Sequence, residues 1–140
     1  MNTYQLTFQD MWLLQAIHVS DFSGQAAELE RIIGIADGLD HAIPTFAEFN
    51  NAIYNLRQAG LLVQNGGSLR MTGSANTLLE KFAALPYPKQ REAIRLQLRI
   101  DLLKDYDPDV LTAPEVFMPH DLYSDAVQAY TRRYMQRYVH

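Results

Sequence analysis

The sequence contains no cysteine, and this absence removes several classes of protein at once. Without thiols there is no disulfide framework, no thiolate zinc site and no cysteine nucleophile, so a reducing cytoplasm is the expected compartment. Long apolar runs are absent too, because no stretch approaches the roughly 18 residues of a membrane span. The first residues, Met1–Gln5, have no basic region typical of a secretory signal. We therefore expect a protein with no membrane partner.

Cationic residues are scarce relative to acidic ones. The 140 residues have a formal net charge of -4, and residues 1–85 contain four Lys and Arg against eight Asp and Glu. Contacts between cations and phosphates supply much of the affinity of a nucleic-acid-binding protein. A monomer of this composition is therefore expected to bind nucleic acid weakly, whereas a dimer would double the contacts.

Apolar periodicity and capping residues predict three helices in the first 60 residues. Thr7-Phe8-Gln9-Asp10 has the pattern of a capping box with Asp in the place of Glu, and it opens an apolar helix that ends near Ser20. A second helix stops at the breaker-rich residues 37–40. The third begins at Phe46, inside the capping box Thr45-Phe46-Ala47-Glu48, and ends at Gly60.

After Gly60 the pattern changes to short apolar runs around Asn65-Gly66, which predict a β-hairpin. A short fourth helix is expected from Asn76 to Phe82. The prolines at positions 86 and 88 then mark a boundary between a domain of residues 1–85 and a C-terminal helical extension of residues 86–140.

The extension contains one ambiguous segment. Within residues 93–103, apolar residues alternate strictly with polar ones from Ile94 to Leu102, as in a strand, but the residue types are strong helix formers. We favour a helix here, with an irregular segment after it and a last helix from Asp121. Arg91, Arg95 and Arg99 would then form a stripe on one side, which we interpret as ion-paired rather than as an anion-binding surface.

Three helices followed by Leu56-Arg57-Gln58-Ala59-Gly60-Leu61-Leu62 and a hairpin resemble the winged helix-turn-helix superfamily, over residues 7–84. No single family within it is identified. The resemblance implies a mainly α fold with a small β-hairpin, the wing. The expected core residues are Phe8, Trp12, Leu29, Ile33, Phe49, Ile53, Leu56 and Leu62.

In such a fold the third helix, Phe46–Ala59, would be the recognition helix. Asn and Gln can pair with adenine through two hydrogen bonds, and Arg can reach guanine or a phosphate. The predicted DNA-binding residues are therefore Asn51, Tyr54, Asn55, Arg57, Gln58 and, on the wing, Arg70. Duplex DNA is the expected partner, and the expected function is transcription regulation. The alternative is a winged helix that binds protein and no DNA, which the acidic balance favours.

Catalysis and metal binding find no support in the sequence. Asp37-Gly38-Leu39-Asp40-His41 is explained by turn chemistry. The run that starts at Asp105 departs from a calcium loop, with Val110 at the sixth position and Val116 at the twelfth. No serine lies in a nucleophile motif. We therefore expect no enzyme, no catalytic or metal-binding residue and no cofactor.

A homodimer is expected, built largely from residues 89–140. The last helix has an apolar and aromatic side with Val127, Tyr130, Tyr134 and Tyr138. Such aromatic faces are enriched in interfaces, where the ring is buried and the hydroxyl can stay hydrated. The alternative is a monomer in which this helix folds back on the rest of the same chain.

Overall fold

The computed structural model describes residues 3–4, 6–20, 29–65, 68–97, 100–101 and 116–138. This part of the chain is mainly helical, with a small antiparallel hairpin, as the sequence predicts. Its helices are α1 (Phe8–Ser20), α2 (Leu29–Asp40), α3 (Phe46–Gln58), α4 (Gly73–Lys81), α5 (Tyr87–Gln97) and α6 (His120–Tyr138). Its strands are β1 (Thr3–Tyr4), β2 (Leu62–Asn65), β3 (Ser68–Met71) and β4 (Ile100–Asp101). None of the described helices is both long and apolar enough to cross a bilayer.

Both predicted capping boxes are present. In α1, the backbone N–H of Thr7 donates to the Asp10 carboxylate at 2.8 Å, and the Asp10 N–H donates to the Thr7 hydroxyl at 3.3 Å. In α3, Thr45 and Glu48 exchange the same pair of bonds at 3.0 and 3.1 Å. Each box satisfies backbone donors that a helix start leaves unpaired, so the sequence positions the first turns of α1 and α3.

A Schellman motif joins α3 to the hairpin. Gly60 has a φ of +73°, in the left-handed region that a glycine adopts without steric penalty. Its N–H donates to the carbonyl of Arg57, and the Leu61 N–H donates to that of Leu56, both at 3.0 Å. The chain then enters β2, which pairs with β3 in the register Leu62 to Met71. The hairpin thus lies directly against the end of α3.

Helix α1 lies at the centre of the core, between α2, α3, α5 and the hairpin. Every residue from Asp10 to Ile17 is buried, and the indole N–H of Trp12 donates to the Ala36 carbonyl at 2.8 Å. Seven of the eight predicted core residues are buried. The prediction for Phe8 is wrong, because its side chain is 38% exposed. Its ring lies at the start of α1, where it covers the guanidinium of Arg91 at 4.8 Å instead of entering the core.

A buried polar network links α1 to α5. The Gln15 side-chain amide donates to the Gln90 side-chain oxygen at 2.6 Å, and Gln15 in turn accepts a hydrogen bond from Nε of Arg91. Arg91 also pairs with Asp40 at 3.4 Å, while its Nη2 has no hydrogen-bond partner among the described residues. Arg95 donates to the Leu6 carbonyl at 2.8 Å. Arg91, the first residue of the predicted arginine stripe, is thus buried in this network rather than exposed on the surface.

The described residues between positions 93 and 103 include both a helix and a strand, whereas residues 98–99 and 102–103, and with them Arg99 of the predicted stripe, lie outside the described residues. Helix α5 continues to Gln97, and β4 at residues 100–101 pairs with β1, so the preference for helix is correct only for the first part. Two other boundaries differ from prediction. Helix α4 begins at Gly73 because the Thr72 hydroxyl accepts the Ala75 N–H and caps it. Helix α2 continues through its glycine at position 38 to Asp40.

Helix α6 packs along α2, in the same chain. Gly34 provides the close approach, since a Cβ there would lie 2.9 Å from the ring of Tyr130. The Tyr130 hydroxyl donates to Asp37 at 2.6 Å, and Arg133 pairs with Glu30 at 3.0 Å. Part of the aromatic side predicted for dimerisation is therefore covered within one chain. Tyr134 remains 46% exposed, and the homodimer stays a prediction.

Candidate interaction surface on helix α3

The predicted DNA-binding residues lie on the outward side of α3 and on the hairpin. Arg57 and Gln58 are exposed on α3, and Arg70 is exposed on β3, where it opposes Val63. The other three, Asn51, Tyr54 and Asn55, are half-buried. Four of the six residues form two groups with different surroundings, which are Tyr54 with Arg57 and Asn51 with Asn55.

The first group is an aromatic clamp formed by Tyr54 and Arg57, which holds the ring of Phe117. The rings of Tyr54 and Phe117 are stacked, with centroids 5.4 Å apart and planes 16° apart. The guanidinium carbon of Arg57 lies 4.8 Å from the Phe117 centroid. Stacking and cation–π contacts each contribute about 0.5–1.5 kcal/mol at partly exposed sites. A residue from beyond the predicted domain boundary therefore covers the middle of the outward face of α3.

Two side-chain amides bind the backbone around Phe117. The Asn50 side-chain oxygen accepts the N–H groups of Phe117 at 2.7 Å and Met118 at 3.1 Å. The Gln64 side-chain amide donates to the Phe117 carbonyl at 2.8 Å, and its oxygen accepts from Arg57 at 3.2 Å. The N–H and the C=O of Phe117 are thus both bound by side-chain amides, and the two consecutive N–H groups that converge on Asn50 show that the backbone bends at this point.

The sequence did not point to Asn50, Gln64 or Phe117. Asn50 follows Phe49 in the buried part of an amphipathic helix, and a buried amide needs a hydrogen-bond partner. Nothing local indicates that the partner lies 67 residues further along the chain.

The second group lines a pocket of about 250 Å³ between the start of α1 and α3. The Asn55 amide donates to the carboxylate of Asp10 at 3.0 Å, and the Asp10 side chain is buried. The lining residues are Thr7, Gln9, Asp10, Glu48, Asn51, Ala52 and Asn55. Two carboxylates and two amides provide mostly acceptors, which suit a cationic or multiply hydrogen-bonding group and repel phosphate.

The acidic segment at the end of α2 serves packing. Asp37 accepts from Tyr130 of α6, and Asp40 pairs with Arg91 of α5, so the two carboxylates point to different helices. Within the described ranges, no group of three or more His, Asp or Glu side chains is arranged to hold a metal ion.

Tyr123 completes the support of α3 from α6. Its ring lies 4.8 Å from that of Phe49, and its hydroxyl donates to the Pro44 carbonyl just before the cap of α3. Burial, and secondarily the charge of Glu48, raise the pKa of this phenol well above its ordinary value. Helix α6 therefore supports the start of α3.

Comparison with known proteins provides no relative. The chain matches no protein-family model, no curated protein and no solved structure.

Proposed function

We propose that this chain is a non-catalytic protein-binding module of the winged-helix type, which uses the outward face of α3 to bind a partner protein. The order of three helices followed by a hairpin, with the Schellman motif at Gly60 between them, supports the winged-helix assignment.

The observation that carries the proposal is the position of Phe117. A recognition helix must place its outward side chains against base edges in the major groove. Here Tyr54 and Arg57 are engaged by Phe117, which would lie between α3 and the bases. Base edges could reach Tyr54 only after Phe117 had moved away.

The electrostatics of the pocket support the same proposal. Asn51 and Asn55, which would be suited to adenine, share the pocket with Asp10 and Glu48. Two carboxylates beside the recognition residues would repel the phosphate backbone, and they attract a basic side chain of a partner protein.

DNA binding remains the second candidate, because Arg57, Gln58 and Arg70 are exposed at the hairpin end of α3. Fluorescence anisotropy with a random-sequence duplex at low salt separates the two candidates. The protein-binding proposal expects no binding at micromolar protein. Binding that weakens steeply with added salt would instead establish DNA contacts and contradict the proposal.

A positive test of the pocket uses a small ligand that carries only the basic side chain of arginine. We expect N-acetyl-arginine amide to shift the backbone NMR signals of Glu48, Asn51 and Asn55, because the pocket provides acceptors for a guanidinium. N-acetyl-citrulline amide has nearly the same shape without the charge and is the matched control. Equal shifts with both ligands, or no shifts with either, would count against a cation-binding pocket.

A further inference from the structure

The clamp of Tyr54 and Arg57 has the composition of a peptide-recognition site. It surrounds one aromatic side chain with a ring on one side and a guanidinium on the other. Asn50 and Gln64 add an acceptor for the N–H and a donor for the C=O of the same residue. The polar backbone groups and the side chain of one residue are recognised together.

We propose that this clamp is a docking site for a segment of a partner protein that carries an aromatic residue, and that Phe117 occupies it as an internal stand-in. This inference rests on the proposed function, because it names the chemistry of the partner that α3 would bind. Phe117 is then a competitor that the partner must displace.

The exposure of neighbouring residues indicates how displacement occurs. Met118 is fully buried, whereas Val116 is 65% exposed and Phe117 is half-buried. In the proposed displacement, residues 116 and 117 swing away from α3 while Met118 stays in the core. Asn50 keeps its bond to the Met118 N–H, and its second bond passes from Phe117 to the N–H of the partner.

An internal stand-in weakens the apparent affinity for the partner, because the intrinsic affinity is multiplied by the fraction of molecules in which the clamp is open. Removing the ring should remove most of that competition. The test variant is full-length Phe117→Gly, and the matched control is Val116→Gly, which changes an exposed neighbour and leaves the ring in the clamp. The emission of Trp12, the single tryptophan, reports whether each variant is folded. Phe117→Ala is the milder substitute if the glycine variant unfolds.

The probe is the acetylated and amidated tripeptide Glu-Val-Phe, which copies residues 115–117. Its affinity is measured from NMR shifts of Tyr54, Arg57 and Gln64. We expect Phe117→Gly to bind it at least about tenfold more tightly than the unmodified chain and the Val116→Gly control do. The tripeptide Glu-Val-Ala should not bind, because it has no ring for the clamp.

The outcomes separate this inference from the proposed function. Equal affinity in all three proteins, or no binding by a folded Phe117→Gly variant, overturns the docking site and leaves the cation-binding pocket to its own test. If Phe117→Gly instead binds the random duplex in a salt-dependent way, Phe117 covers a DNA-binding face, and both the docking site and the protein-binding function are wrong.

Discussion

The close approach of α6 to α2 at Gly34 predicts that a single methyl group disturbs the C-terminal part of the fold. In Gly34→Ala the new Cβ would lie 2.9 Å and 3.2 Å from two ring carbons of Tyr130. The ring cannot move away freely, because its hydroxyl is bound to Asp37 at 2.6 Å. Overpacking of this kind destabilises by about 1–3 kcal/mol, whereas replacing a helical Gly by Ala stabilises by about 0.8–1.0 kcal/mol. We expect a net loss of up to about 2 kcal/mol.

Gly38 provides a matched control one turn away on the same helix. A Cβ at Gly38 meets no atom within 4 Å, so Gly38→Ala should gain the helix propensity without the clash and stabilise by about 0.5–1 kcal/mol. Urea unfolding followed by Trp12 emission measures both variants. The two free energies of unfolding should differ by about 1–3 kcal/mol.

A second substitution tests the cause of that difference. In a Tyr130→Ala background the ring is absent, and Gly34→Ala should become stabilising, like Gly38→Ala. If Gly34→Ala stabilises the unmodified chain as much as Gly38→Ala does, then α6 does not pack on α2 at this point and the reasoning fails.

Two further predictions concern the supports of α3. Asp10→Ala removes the acceptor of the Thr7 N–H, which is one half of the capping box of α1, and the acceptor of Asn55, and should destabilise by about 2–3 kcal/mol. The exposed neighbour substitution Gln9→Ala should stay within about 0.5 kcal/mol, and equal losses in the two urea titrations would contradict the role of Asp10. The raised pKa of Tyr123 means that the folded state holds the phenol proton more tightly, so its contribution to stability is complete below pH 10.0, the ordinary value, and falls as pH rises above it. Urea unfolding at pH 9 to 11 should show that the free energy of unfolding falls as pH rises, and the part of this fall that Tyr123 causes should be absent in Tyr123→Phe. If the free energy of unfolding falls equally steeply with pH in Tyr123→Phe, other groups cause the fall.

The parts of the fold that the sequence predicts are those with local signals. The Thr45 to Glu48 capping box and the turn at Gly60 need residues at most five positions apart, so their chemistry is visible in a short window. The hairpin around Asn65 is similar. These features predict α3 and the hairpin, and with them the elements that carry the six residues predicted to bind DNA.

The parts that the sequence does not predict depend on distant contacts. Helix α1 is apolar on nearly every side, so periodicity does not show which side faces outward, and the sequence wrongly predicts that Phe8 is in the core. Strands β1 and β4 have two residues each, and they pair Thr3 with Asp101, two residues that are far apart in the chain. The position of Phe117 on Tyr54 is likewise a tertiary result, and it changes the interpretation of the site most.

The network around Gln15 has a consequence for synthesis of the chain. The groups that satisfy the Gln15 amide come from Gln90 and Arg91, which follow it by 75 and 76 residues. At a translation rate of about 5–20 residues per second, roughly 4–15 s pass between the two segments. During that interval the central helix on the ribosome has a polar group at its middle without its final partners. The finished core therefore forms late in translation, after α5 has emerged, even though its first helix is among the earliest segments made.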